Sequence, residues 1–305
     1  MMLKRYFSLL IVLVALGCTQ SQGGGNAGVA IQDFYFKSAE IGDDEVVSAS
    51  FSVANIGSKT VSGDIYVWFY GPLFMSSNSW QIEPEGTIDL TSGEAVINGE
   101  TFYPPIPEKD IPGSVKNYDI LLMPPNVPDG ARQSYTFYAE ICYPYSTTSL
   151  AEITSTSQNE YRVQEAQNPS MSDTENTRGP IMLTYSSRKD IRSSKDIPIA
   201  FTVTDLGGGY ATSPDSGCMK DIDATKRNRV EITVLVDGSP DGIDCGEYSN
   251  TATIDLVSNN GIAFCSYEVP DRTSPTRTHY VSAIARYMYY SRSTADVSVE
   301  DSYYQ

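Results

Sequence analysis

Apolar side chains in this chain recur at every second position rather than every third or fourth. Within Glu45–Ala54, Val47, Ala49, Phe51 and Val53 fall on one face and serines on the other. Ile65, Val67 and Phe69 alternate in the same way within Asp64–Tyr70, and Ser134–Cys142 is a third run. In the second half Ile197–Val203, Val230–Val236, Ile262–Val269 and His279–Tyr289 repeat the pattern. Period two, bounded by Gly, Pro and Asn, is the pattern of half-buried strands. Beyond the first twenty residues no ten-residue stretch carries a helical period. Asn259-Asn260-Gly261, between Thr251–Val257 and Ile262–Tyr267, reads as a hairpin turn, because Asn and Gly tolerate positive φ. With 21 Tyr against 10 Phe and only 19% charged residues, the composition fits an all-β, exported class.

The strand pattern also repeats. Ser50-Phe51-Ser52-Val53-Ala54-Asn55-Ile56-Gly57 returns as Ala200-Phe201-Thr202-Val203-Thr204-Asp205-Leu206-Gly207, an offset of 150. Ile65–Gly71 returns as Ile232–Gly238 at an offset of 167, so the second copy carries 17 extra residues within Gly208–Arg229, around Cys218. Two copies of strand, turn and strand imply two domains of one fold. A polar, Pro-containing stretch at 166–178 lacks alternation and reads as a linker. The expectation is a first β-sandwich over 29–165 and a second over 179–305, each long enough for its own core. The Phe-x-Val-x-Asn-x-Gly strand end, followed by a strand ending at Gly, resembles the immunoglobulin-like cell-adhesion-related domain of bacteria and archaea. With Tyr138–Tyr145 and the double copy, the chain resembles archaeal surface proteins with tandem domains. That resemblance implies two tandem immunoglobulin-like sandwiches, and it implies no activity.

The N-terminus points to export. Lys4 and Arg5 precede an apolar run from Tyr6 to Leu16, eleven residues where a membrane span needs about twenty, so 1–17 reads as a signal peptide. Ala15-Leu16-Gly17-Cys18 resembles a lipoprotein signal, which implies thioether lipidation of Cys18 and cleavage before it. Residues 18–28 are Gly, Ser, Gln and Asn-rich and read as a flexible tether. Export leaves Cys142, Cys218, Cys245 and Cys265 in a compartment where disulfides persist. The pairing favoured here is Cys245 with Cys265, since Cys245 precedes the strand expected to partner that of Cys265. Cys142 and Cys218 are then free or bridge the two domains.

The formal charge of −17 over 305 residues repels phosphate, which argues against nucleic acid as a partner. Candidate chemistry is sparse. Asp237, Asp241 and Asp244 lie in one acidic loop and are a weak Ca²⁺ candidate, although the EF-hand spacing is absent. Ile41–Glu45 reads as a charged turn. His279, the single histidine, sits in an alternating strand with no G-x-S-x-G elbow nearby, which favours a surface or strand-end role. Gly207-Gly208-Gly209 lacks the Lys-Ser/Thr of a phosphate loop and reads as a flexible loop. Trp68, Tyr70, Phe74 and Trp80 offer aromatic faces that could stack on sugars, and Tyr280, Tyr287, Tyr289, Tyr290, Tyr303 and Tyr304 crowd the C-terminus. No catalytic constellation emerges, so the reading is non-enzymatic and calls for no cofactor. The functional expectation is a membrane-anchored, extracytoplasmic lipoprotein serving adhesion, binding or spacing, with surface proteins or glycans as partners. The alternatives are a filament or sheath subunit donating Val29–Phe36 as a strand, and a carbohydrate-binding accessory protein.

Overall fold

In the computed structural model the described residues are 28–302 except 64, 73–78, 83–93, 98–100, 156–173, 187–189, 192–195, 221, 247–248 and 270–276. The strands of the first half are β1 (Val29–Phe36), β2 (Glu40–Gly42), β3 (Val47–Asn55), β4 (Ile65–Tyr70), β5 (Gln81–Ile82), β6 (Glu94–Ile97), β7 (Val115–Met123) and β8 (Arg132–Ser155). Those of the second are β9 (Glu175–Asn176), β10 (Ile181–Tyr185), β11 (Asp190–Ile191), β12 (Asp196–Asp205), β13 (Tyr210–Thr212), β14 (Arg229–Val236), β15 (Ile243–Asp244), β16 (Thr251–Asp255), β17 (Asn260–Glu268) and β18 (Arg277–Glu300). Among the described residues the only helical pieces are three short 3₁₀ turns.

The fold is an all-β sandwich of three sheets. Two four-stranded outer sheets, β1-β3-β7-β5 and β10-β12-β17-β15, each belong to one half. Both pack on a single ten-stranded sheet whose path is β16-β14-β18-β8-β4-β6. The order mirrors about its middle, because β4 and β14 are the second strands of the sequence repeat. Tyr143-Pro144-Tyr145 of β8 lies against Tyr287-Met288-Tyr289 of β18, with Tyr143 opposite Tyr289 and Tyr145 opposite Tyr287. An approximate two-fold axis therefore passes through Pro144 and Met288, the arrangement of an isologous dimer interface built into one chain.

The two halves are joined by more than the expected linker, because they share this central sheet. β8 and β18 are each 24 residues long and pair without interruption from Arg132–Glu300 to Ser155–Arg277. At about 3.3 Å per residue the ladder spans roughly 80 Å. Pro144 does not interrupt it. On the edge of β8 away from β18, β4 ends its pairing at Cys142 and β9 begins at Ser149, so a proline without an N–H sits where no neighbouring strand asks for one. The boundaries 29–165 and 179–305 remain a proposal, and most of the expected linker falls outside the described residues.

The repeated Asn/Asp-x-Gly segment closes the same turn twice. Gly57 N donates to Asn55 Oδ1 and Gly207 N to Asp205 Oδ1, both at 3.0 Å. Each glycine is needed for close approach: a Cβ on Gly57 would overlap the Tyr145 hydroxyl, and one on Gly207 the Tyr289 hydroxyl. Beside the first turn the Gly28 carbonyl accepts Ile56 N and Gly57 N, each at 2.9 Å. Beside the second the Pro180 carbonyl accepts Leu206 N at 2.8 Å.

The turn at Asn259–Gly261 is tight as expected, with Ser258 and Asn259 at positive φ (51° and 67°) and Val257 paired to Asn260. It does not make the expected hairpin. β16 pairs with β14 in the central sheet, whereas β17 pairs with β12 and β15 in the outer one. The chain crosses the core here because β17 buries Ala263, Cys265 and Tyr267 under the outer sheet while β16 extends the edge of β14. Cys245 and Cys265 are nonetheless disulfide-bonded, but not through a hairpin of β16 and β17. Ile243 and Asp244 pair with Tyr267 and Ser266, and Cys245 continues that register to Cys265. Val29–Phe36, the candidate donor strand, pairs with β3 of its own chain and buries Val29 and Phe36 in its own core.

Candidate functional site

Successive residues of a strand face opposite sides of its sheet. On β8 the odd residues Ala139, Ile141, Tyr143 and Tyr145 join the core under the outer sheets. The even residues Tyr138, Glu140 and Cys142 face the other way. There they meet Tyr66, Trp68 and Tyr70 of β4 on one side, and Tyr290 and Arg292 of β18 on the other. The inserted segment within Gly208–Arg229 folds across this second face. β13 pairs with Tyr290, Tyr289 and Met288, and Cys218 is bonded to Cys142, with Ile222 packed beside it. The insertion is thus pinned from the second half onto a strand of the first.

The result is an aromatic layer edged by charge. Tyr66, Trp68, Tyr290 and Tyr210 stack in series, with centroids 5.8, 6.0 and 4.8 Å apart and planes within 16° at each step. Trp68 and Tyr290 are each 1% exposed. Tyr70 stacks on Tyr138 at 5.3 Å, and Arg292 lies over both rings at 5.4 Å. Glu140, buried, accepts Arg292 Nε at 2.9 Å, Arg292 Nη2 at 2.6 Å and the Tyr70 hydroxyl at 2.8 Å on one oxygen, Oε2. Desolvation, and then the Glu140 hydrogen bond and charge, push the Tyr70 hydroxyl well above the usual tyrosine range. Burial pushes Tyr290 up to about 12. Both phenols therefore stay neutral donors at any physiological pH.

Above this layer opens a cleft of about 570 Å³, walled by Tyr70 and Glu140 from the first half and Tyr210, Lys220, Arg227 and Arg292 from the second. Arg227 lies over Tyr210 at 5.5 Å and Lys220 over Tyr70 at 5.9 Å. Gly208, with φ +73° and open space where a Cβ would stand, forms part of the rim. Gly209 closes the back, its N–H on the Tyr289 hydroxyl at 2.9 Å. The glycine run read as a flexible loop is therefore the lip of this cleft.

The sequence-predicted residues fare unevenly. Trp68 is no sugar platform, because Tyr66 and Tyr290 cover its two faces. Trp80 is buried edge-on against Phe137 in the first-half core, and Phe74 lies outside the described residues. Tyr287 and Tyr289 fill the seam core and Tyr290 the aromatic layer; Tyr280 is exposed, and Tyr303 and Tyr304 lie outside the described residues. The three aspartates of the Ca²⁺ candidate do not converge. Asp241 accepts the Ser239 hydroxyl, Asp244 accepts Gly246 N, and Asp237 turns to His279 and Tyr280 N. No group of three or more metal-ligating side chains occurs among the described residues. Asp43 serves the charged turn as a stitch, accepting Val127 N and Ser302 N. Cys18 lies outside the described residues.

His279 is not at the surface. Its Nδ1 is 2.8 Å from Asp237 Oδ2 and its Nε2 3.0 Å from Ser155 Oγ, the order of a hydrolase relay. The ring is only 1% exposed and packs edge-on to Tyr267, so no edge is open to a leaving group. It ties the start of β18 to the end of β8 and the turn after β14. Burial pushes the Asp237 carboxyl up, but the Tyr280 N–H, His279 and Arg277 together hold it below the usual carboxylate range. Glu140, Tyr210, Lys220, Arg227 and Arg292 were all missed from sequence. The available signal was a glutamate, a tyrosine and a cysteine, Glu140, Tyr138 and Cys142, at positions where a half-buried strand shows small polar residues.

No family model matches the chain, and no curated protein does. Among solved structures, a PapD-like domain of human CEP192 is 12% identical, covering 46% of this chain and 83% of that one, with a TM-score of 0.19. Escherichia coli alpha-2-macroglobulin activated by porcine elastase is 5% identical, covering 90% of this chain and 33% of that one, with a TM-score of 0.16. The collagen adhesin of S. aureus is 10% identical, covering 90% and 94%, with a TM-score of 0.15. At such TM-scores none of these likenesses bears on function.

Proposed function

We propose that the chain is an exported, lipid-tethered binding module that presents the seam cleft outward from the membrane. The observation that carries this is the placement of the chain's entry relative to the cleft. Gly28 is buried beside Tyr145, in the notch between the two outer sheets and midway along the β8–β18 ladder. The cleft opens on the opposite face of the same ladder. A lipid on Cys18 would thus attach the chain from the outer-sheet side of the ladder, opposite the cleft. Entry at the middle, rather than at one end, argues against a rod-like spacer. β1, seated in its own chain, argues against obligatory strand donation.

Two experiments test this reading. Metabolic lipid labelling should tag the wild type and not Cys18→Ser; equal labelling contradicts the anchor. The soluble chain from residue 19 onward should retain ligands from an array of extracellular glycans and proteins. That retention should vanish in Tyr210→Ala, with the melting profile checked for integrity. Binding that survives Tyr210→Ala places the ligand elsewhere and sinks the cleft reading.

A further inference from the structure

We propose that the cleft binds an acidic saccharide, a terminal pyranose carrying a carboxylate or sulfate; the proposal rests on the cleft being the binding site. The charges come first. The chain as a whole is −17, yet three cations line this cleft against one carboxylate. Arg292 is spent on Glu140. Among the described residues Lys220 and Arg227 make no ion pair, and both are exposed. On so acidic a protein, two unmatched cations facing one concavity make a local sink for a small anion. A long polyanion is still repelled by the surrounding surface, which restricts the ligand to a few charges.

The rings give the second half of the chemistry. Arg227 covers the outer face of Tyr210, whose inner face is on Tyr290, and Lys220 lies over Tyr70. An exposed cation–π contact is weaker than a charge-assisted hydrogen bond to an anion. An incoming carboxylate or sulfate therefore draws both cations off their rings. That uncovers the outer face of Tyr210, against which the C–H face of a pyranose can lie, while Tyr70 keeps Arg292 over its ring. One ligand thus satisfies the cations and the Tyr210 ring together. A neutral sugar supplies nothing to move the cations, and a bare anion leaves the uncovered ring wet. The cleft volume of about 570 Å³ has room for one or two sugar rings.

The test is calorimetric titration of the soluble chain with three probes sharing one body: 3′-sialyllactose, 3′-sulfolactose and lactose. At least one acidic probe should bind about tenfold or more tighter than lactose, a gap of about 1.4 kcal/mol. The gap should close in Lys220→Gln/Arg227→Gln and narrow with added salt. Which acidic probe binds separates carboxylate from sulfate recognition. Lactose binding as tightly as both acidic probes, no binding by any probe, or a preference that persists in the double variant overturns the proposal. Free sodium sulfate displacing the acidic probe at equal concentration also overturns it, since the ring then contributes nothing. If the array yields a ligand lost in Tyr210→Ala but indifferent to Lys220→Gln/Arg227→Gln, the acidic-saccharide proposal falls and the cleft reading stands.

Discussion

Replacing Cys142 and Cys218 with serine should lower the unfolding free energy by about 4.5 kcal/mol and detach the wall of the cleft. The bond closes a loop of 76 residues, which in the chain-entropy model is worth that much; the 20-residue Cys245–Cys265 loop is worth about 3.3 kcal/mol. The first bond also does something the second does not. The insertion carrying Tyr210, Lys220 and Arg227 is held to the sheet by the three pairs of β13, the Cys218–Cys142 bond, Ile222 packed on Trp68 and Tyr290, and Tyr290 Oη, which meets Met219 N and the Gly217 and Met219 carbonyls. Without the bond it opens locally before the sheet does. Urea midpoints read the global loss, and limited proteolysis reads the opening, with cuts expected first between residues 213 and 228. A serine pair with a wild-type midpoint, or a first cut elsewhere, shows that packing alone holds the insertion down.

Tyr289→Ala should cost about 3–5 kcal/mol, the range for deleting a fully buried ring. Tyr289 stands at the two-fold seam, 6.0 Å from Tyr143 and 6.1 Å from Tyr287. Its hydroxyl donates to Asp205 at 2.8 Å and accepts Gly209 N at 2.9 Å, linking the second repeat turn to the lip of the cleft. Tyr289→Phe keeps the ring and strips those bonds, and should cost about 1–3 kcal/mol. Desolvation raises the Asp205 carboxyl above its usual value, despite the Gly207 and Tyr289 hydrogen bonds. A carboxyl raised in this way leaves stability fully present below its ordinary value, and that stability is lost as pH rises through the folded pKa. Tyr289→Phe removes a donor to the charged form, so its deficit should shrink as pH falls below that pKa. A phenylalanine variant with wild-type stability at neutral pH would show that the hydroxyl bridge is idle.

Strands were legible because period two is written into single residues: Val47, Ala49, Phe51 and Val53 need no partner to reveal a face. The repeat turn was legible for a similar reason, since Asn55-x-Gly57 and Asp205-x-Gly207 carry their own hydrogen bond. What alternation does not encode is the neighbour. Ile262–Tyr267 alternates equally well as the second arm of a hairpin or as a strand of another sheet, and only burial of both elements decides. The 24-residue length of β8 was hidden by Pro144, which reads as a terminator unless the adjoining edge is known to be vacant. It was hidden also by Glu140-Ile141-Cys142-Tyr143, where burial on both faces erases the period. The cleft suffered most. Its walls come from β4, β8, β13, the insertion and β18, with Trp68 and Arg292 standing 224 positions apart in the chain, and no local pattern joins them.

The welding of two repeats through one uninterrupted ladder is tested most directly by differential scanning calorimetry of the oxidised chain. A single transition is expected, with calorimetric and van't Hoff enthalpies equal, because neither half can open without breaking β8 from β18. Two resolved transitions, each with the enthalpy of about half the chain, would contradict it and return the molecule to two independent sandwiches.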